Sequence, residues 1–156
     1  MKVYLVQHGP CIEKTRHPEQ PLSEEGKQLI NKTSRFVSLL KLEIDYLWHS
    51  EKLRAKQTAE ILASGLNVHG VIESHTGLTP LDPVEPIVQL LHQLKQNIML
   101  VGHMPFMGNM VNKLVGNELQ NFISFVPGTI VCLEQNKQQW NICWMLTPEI
   151  INKVMQ

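Results

Sequence analysis

Two of the seven histidines in this 156-residue chain stand where an imidazole can act as a nucleophile or as an anion ligand. His8 follows the apolar run Lys2 to Gln7, His103 follows the run Asn97 to Val101, and each has a glycine beside it, Gly9 and Gly102. Glycine removes a side chain that would otherwise crowd an approaching ligand. A lone histidine is most often a surface or hydrogen-bonded residue, and His17, His69, His75 and His92 are read that way. His8 and His103 share two features, a strand end and an adjacent glycine, and the coincidence sets them apart. A third segment, Ser50 to Ala59, places Ser50 at the start of a helix and Arg54 four residues later. That spacing keeps the hydroxyl and the guanidinium near one face, where unpaired backbone N–H groups and the helix dipole already favour an anion. A phosphoryl group fits such a place. An arbitrary helix arginine is usually solvated, so spacing alone leaves Arg54 open.

The elements that must position these residues alternate. Lys2 to Gln7 reads as a strand, and Ser23 as the cap of a helix with Glu24 and Glu25 in its first turn and an apolar face from Leu29 to Leu40. That helix is predicted to end near Lys41. A second strand is expected at Ile44 to Trp48, then a helix from Glu51 to Ser64 closed by Gly65. A short strand follows at Gly70 to Glu73, and a turn-like stretch from Pro80 leads into a helix that starts at Pro86 and ends near Leu94. Asn97 to Val101 is a strand, Pro105 opens a helix ending at Leu114 to Gly116, and Thr129 to Glu134 with Trp140 to Leu146 form a hairpin around Gln135 to Gln139. Alternation of this kind implies an α/β fold with a parallel-rich sheet covered on both faces and an antiparallel edge. In such sheets ligands bind beyond the carboxyl ends of the strands, where His8-Gly9, His49-Ser50 and Gly102-His103 all fall.

Length and composition set the frame. The chain is expected to form one domain, residues 1–156. Fourteen Lys plus Arg balance fourteen Asp plus Glu, and 43% of residues are apolar. Wholesale disorder and a primary nucleic-acid-wrapping role are therefore not expected, because the latter needs net positive charge. Only four apolar residues, Val3 to Val6, follow Lys2 before Gln7, so neither a secretory nor a membrane-spanning segment is read there and a cytoplasmic location is expected. Cys11, Cys132 and Cys143 form no CxxC pair and suit reduced thiols. Metal ligation rates low, since there is no HxH, HExxH or paired Cys/His spacing. The methionines from Met99 to Met110 and the three tryptophans read as core filler and packing.

Together, Leu5-Val6-Gln7-His8-Gly9, Pro21-Leu22-Ser23-Glu24-Glu25-Gly26, Ser50 to Ala59 and Val101-Gly102-His103-Met104-Pro105 resemble the histidine phosphatase superfamily, and within it the small SixA-type phosphohistidine phosphatases. The motifs occur in family order, and the short connection from Gly65 to Asn97 is similar to that branch. The resemblance implies a three-layer α/β/α sandwich of the phosphoglycerate mutase-like kind, without metal or cofactor. It also implies His8 as a nucleophile that becomes a transient phosphohistidine, with His103, protonated, and Arg54 neutralising the phosphoryl oxygens. The implied partner is a protein bearing phosphohistidine, of phosphorelay or phosphotransfer type. The family pattern reads Arg-His-Gly where this chain has Gln7-His8-Gly9, so Gln7 is expected to bind phosphate by donating an amide N–H to an oxygen, orienting the group rather than charging the pocket. A guanidinium brings fixed charge and paired donors that an amide cannot reproduce, and losing such a donor commonly costs about 2.7 to 4 kcal/mol in the transition state. Arg16 is a hypothetical substitute for that charge. No spacing singles out Glu73, Asp82 or Glu85 as a general acid; a pocket without one favours phosphoramidates, whose imidazole leaving group protonates near neutral pH. Two alternatives follow: a catalytically weakened protein that binds phosphorylated partners, suggested by Gln7, and a small-molecule phosphomonoesterase, which would need a carboxylate near His8.

Overall fold

Val3, Tyr4, Leu5 and Val6 are all buried, so the strand they form must be covered on both faces. In the computed structural model, which describes residues 1–116 and 123–155, this is β1 (Lys2–Gln7). β1 lies parallel to β6 (Ile98–Gly102) on one side and antiparallel to β7 (Ile130–Asn136) on the other. With β3 (Tyr46–His49), β5 (Ile72–Ser74) and β8 (Gln139–Leu146), the sheet runs in the order β5-β3-β6-β1-β7-β8. The strands β5, β3, β6 and β1 are mutually parallel, and the hairpin β7–β8 supplies the antiparallel edge.

Alternation along β1 sorts the core into two halves. Val3 and Leu5 pack with Ile87 and Leu91 of α3 (Glu85–Leu94) and with Phe106, Met107 and Met110 of α4 (Phe106–Val115). Tyr4 and Val6 join the opposite cluster, with Ile30 and Val37 of α1 (Glu24–Leu39), Ala59 and Leu62 of α2 (Leu53–Ala63) and Ile151 of α5 (Pro148–Val154). The result is the three-layer α/β/α arrangement. Among the described residues no helix is long and apolar enough to cross a membrane.

Local chemistry accounts for most boundaries. The Ser23 hydroxyl accepts from the Gly26 N–H at 3.0 Å, a cap worth about 1 kcal/mol, and Glu24 and Glu25 occupy the first turn. Gly116 ends α4 with φ 71°, a left-handed conformation that favours glycine. The hairpin turn is tighter than its polar sequence suggests: β7 reaches Asn136 and β8 starts at Gln139.

Three expectations need correction. The segment Ile44 to Trp48 is not one strand: Glu43–Ile44 is β2, which pairs with β4 (Asn67–Val68) in a separate two-stranded sheet, and β3 begins at Tyr46. Asp45 divides them, its N–H donating to the Asn97 carbonyl while its carboxylate accepts from the Asn97 N–H, both at 2.8 Å. The second helix begins at Leu53 rather than Glu51, with Lys52 and not Ser50 at its cap. Finally, α5 was not expected, although Thr147 followed by Pro148 and Glu149 is a start signal and the Thr147 hydroxyl accepts from the Ile150 N–H.

Register is what positions the site. Gln7 of β1 pairs with Gly102 of β6, and Val101 of β6 pairs with His49 of β3. Three neighbouring parallel strands therefore release His8, Ser50 and His103 at the same edge of the sheet.

Candidate active site

His8 is fixed from both sides of its peptide. Its N–H donates to the Gly102 carbonyl at 3.0 Å, and the Gly128 N–H reaches the carbonyls of Gln7 and His8, each at 3.0 Å. The ring is held as well: Nδ1–H donates to the Gly9 carbonyl at 2.7 Å. That bond assigns the proton to Nδ1 and leaves the lone pair on Nε2. Arg54 donates its Nε–H to this lone pair at 3.1 Å. Thr58 ties the two together, accepting from the Gly9 N–H at 3.0 Å and donating to the Arg54 carbonyl at 2.7 Å. Gly9 itself is required by packing rather than by ligand approach, which corrects the reading of its role. A Cβ there would meet Ile30 Cγ1 at 2.7 Å and Leu22 at 3.1 Å.

His103 lies beside His8, with ring centroids 5.0 Å apart and planes inclined by 60°. It is buried, its Nε2 is 2.9 Å from the Ser50 hydroxyl, and its Nδ1 has no partner among the described residues. Ser50 thus serves the second histidine instead of capping the helix. Burial is the main reason both imidazoles resist protonation. It pushes His8 down to about 4, with Arg54 adding to the effect against the opposing bond to Gly9, and His103 down to about 3, with His8, Arg54 and Lys52 adding to the effect. Both rings are therefore neutral at pH 7, and the protonation of His103 that the resemblance implies needs a neighbouring negative charge. With Arg54 as its charge, this arrangement can accept an anion.

Gln7 is buried, and its Oε1 has no partner among the described residues. Arg16 sits in an exposed turn, its backbone N–H donating to the Glu13 carbonyl at 2.9 Å. The carboxylates considered as general acids are engaged or solvated. Asp82 accepts from the Thr79 N–H at 2.7 Å, Glu85 pairs with Lys113 at 3.1 Å, and Glu73 is exposed on β5. Three of the remaining histidines have partners away from the His8–His103 pair: His69 faces Glu43, His75 stacks on Trp48 and His92 meets the edge of Trp140. His49 is buried beside the site and donates Nδ1–H to the Ser50 carbonyl at 2.9 Å.

The structure brings together His8, Arg54 and His103, with Gln7 at the end of the same strand as His8. Reading the residues one at a time missed three supporting groups. These are the Ser50 hydroxyl as the partner of His103, Thr58 as the tie between helix and loop, and Gln20, whose Oε1 accepts from Arg54 Nη1 at 3.4 Å. Thr58 stands four residues after Arg54 on α2, a spacing that signals one helix face; Ser50 precedes the helix, and Gln20 carries no comparable signal.

Known proteins share this sequence pattern and fold. Residues 3–79 match the family model described as Histidine phosphatase superfamily (branch 1). The phosphohistidine phosphatase SixA of Escherichia coli K12 is 24% identical over 154 residues, covering 95% of this chain and 94% of that protein. A structure of the protein histidine phosphatase SixA complexed with tungstate superposes with a TM-score of 0.85 at 23% identity, covering 95% of this chain and 97% of the other. A putative α-ribazole-5′-P phosphatase from Escherichia coli superposes with a TM-score of 0.79 at 16% identity, covering 95% and 98%.

Proposed function

Taking as premise that the chain has the histidine phosphatase fold and matches that superfamily over residues 3–79, we propose that it is a phosphohistidine phosphatase acting on a partner protein. One observation carries the reading: the Nε2 lone pair of His8 is oriented by the Gly9 carbonyl and met by the Arg54 guanidinium at 3.1 Å. This contact supports the reading, in which His8 is the nucleophile and Arg54 the ligand of the phosphoryl oxygens, by bringing the two side chains to one point. Relatives named for protein phosphohistidine and for a small phosphate ester share this fold. The engaged or solvated state of Asp82, Glu85 and Glu73 favours the phosphoramidate, because an imidazole leaving group needs no strong acid.

A bound phosphoryl dianion takes over the Arg54 N–H groups and frees the lone pair. Nε2 of His8 attacks phosphorus in line while the P–N bond of the substrate breaks, its electron pair passing to the substrate imidazole, which takes a proton from water. Water then attacks phosphorus, the P–Nε2 bond breaks, and phosphate leaves with His8 restored. The dianion also changes His103. Negative charge beside a buried imidazole favours its protonated form, and Ser50 already occupies Nε2, so Nδ1 is the ring nitrogen that turns toward a phosphoryl oxygen. Protonation thus accompanies substrate binding. Gln7 contributes an uncharged amide where the family pattern has arginine.

The test is phosphate release from a phosphohistidine-bearing protein and from an aryl phosphate by wild type, His8→Ala and Gln7→Arg. The proposal expects release from phosphohistidine by wild type and loss in His8→Ala. Equal rates for those two would end the mechanism. Gln7 favours one other reading, a protein that retains the anion pocket but hydrolyses poorly. Release by Gln7→Arg alone, with tungstate still raising the melting temperature of wild type, would select it.

A further inference from the structure

Beside Arg54 lies a groove of about 510 Å³ lined by four cations, Lys14, Lys52, Arg54 and Lys56, against two carboxylates, Glu19 and Glu51. In a chain with equal numbers of acidic and basic residues this is a local concentration of positive charge. The groove and the candidate phosphoryl site share Arg54. Arg54 reaches His8 through Nε and Gln20, another groove residue, through Nη1. A phosphoryl group held at His8 by Arg54 is therefore one side chain away from the groove.

We propose that this groove receives acidic side chains flanking the phosphohistidine of the partner protein, a role that rests on the phosphohistidine phosphatase reading. Lys52 and Lys56, four residues apart, share one face at the start of α2, and Lys14 has no carboxylate partner among the described residues. The contacts that Lys52 makes with Glu51 at 3.4 Å and Lys56 with Glu60 at 3.9 Å join side chains about half exposed, and such pairs exchange readily for another anion. Apart from Arg54, the cations are lysines on long flexible stems rather than arginine forks. They suit several carboxylates at variable spacing better than one rigid bidentate group. An acidic flank would also act on the chemistry. The charge of Lys52 helps hold His103 deprotonated, so its neutralisation eases the protonation that the phosphoryl group requires.

The experiment uses two short peptides bearing phosphohistidine, one flanked by glutamates and one by glutamines, with wild type and a Lys14→Gln/Lys56→Gln double variant. Phosphate release is followed at rising salt. Wild type should prefer the glutamate peptide, chiefly through KM, with a preference that fades as salt screens it. The double variant should lose about tenfold more kcat/KM on the glutamate peptide than on its counterpart. Equal losses on both peptides, or no preference in wild type, would overturn the groove assignment. Binding of the unphosphorylated peptides is followed separately by fluorescence anisotropy. Preferential binding of the glutamate peptide with no turnover of either would sink the phosphatase reading and uphold the groove; turnover without preference would do the reverse.

Discussion

Histidine is used in opposite ways at two places in this molecule. In the β2–β4 ribbon His69 faces Glu43 across an exposed surface, and the hydrogen bonds from His69 and Asn67 hold that carboxyl below its ordinary range. At the carboxyl ends of β1 and β6, His8 and His103 meet no carboxylate among the described residues; they meet each other, Arg54 and the Ser50 hydroxyl. The ribbon pair is complete and has nothing left to bind. The strand-end pair is desolvated beside the Arg54 guanidinium, and on the proposed reading its partner is a phosphoryl dianion. A histidine site for a dianion is thus distinguished by the carboxylate it lacks.

The largest expected effect removes the nucleophile. His8→Ala should lower phosphate release by roughly a thousandfold or more, and Arg54→Ala by roughly a hundred- to thousandfold, measured as kcat/KM on a phosphohistidine-bearing protein. Removing the ribbon pair with His69→Gln should leave the rate within about twofold. Comparable losses at the two places would erase the distinction between them.

The next change adds charge to the site. Gln7→Arg should raise kcat/KM by at least roughly tenfold if the amide limits transition-state stabilisation. It should also lower the melting temperature of the free protein, because position 7 is buried and a guanidinium there lacks an anion until one binds. Inorganic phosphate or tungstate should recover that loss in Gln7→Arg more than in wild type. A gain in rate without the anion-dependent recovery would place the new charge outside the pocket.

How far the sequence could foretell this follows from the same residues. The strand-end positions of His8 and His103 were legible, since each apolar run stops at a histidine beside a glycine, and the parallel register Gln7 to Gly102 brings the two ends together. The role of Gly9 was not, because the constraint comes from Ile30 and Leu22, and a tertiary contact leaves no local pattern. Asp45 is similar. Nothing near it in sequence announces that Asn97 will hold it and split one apolar run between two sheets. Ser50 was read as a cap because serine before a helix usually is one. The helix starts later, and the hydroxyl serves a histidine 53 residues away. The charge state of His103 has a related cause: family resemblance implies protonation against a phosphoryl group, whereas burial alone favours the neutral ring.

Protonation also gives a difference in stability. His8 and His103 titrate at about 4 and about 3 in the fold, against 6.5 for an unperturbed imidazole. Between these limits the unfolded chain binds more protons than the native one, so their contribution makes stability rise with pH up to about 6.5 and level off above. Thermal melts from pH 4 to 7 should show that rise, and His8→Gln with His103→Gln should flatten part of it. A bound dianion reverses the preference by favouring His103 in its protonated form, so saturating tungstate should also flatten the slope. An unchanged slope in the double variant would assign it to other groups.

The smallest effect belongs to the ribbon. Glu43 is favoured in its ionised form by Asn67 and His69, so its contribution to stability is present above the ordinary carboxylate pKa and is lost as pH falls below it. The group is exposed, water competes for each of those hydrogen bonds, and salt screens the charge. Glu43→Gln should therefore shift the melting temperature at pH 7 only slightly and leave the pH 4 to 7 slope near that of wild type. A large destabilisation would mean that the β2–β4 ribbon depends on this cluster for its formation. The contrast with the strand ends would then be one of degree, since both histidine clusters would be organising the chain around them.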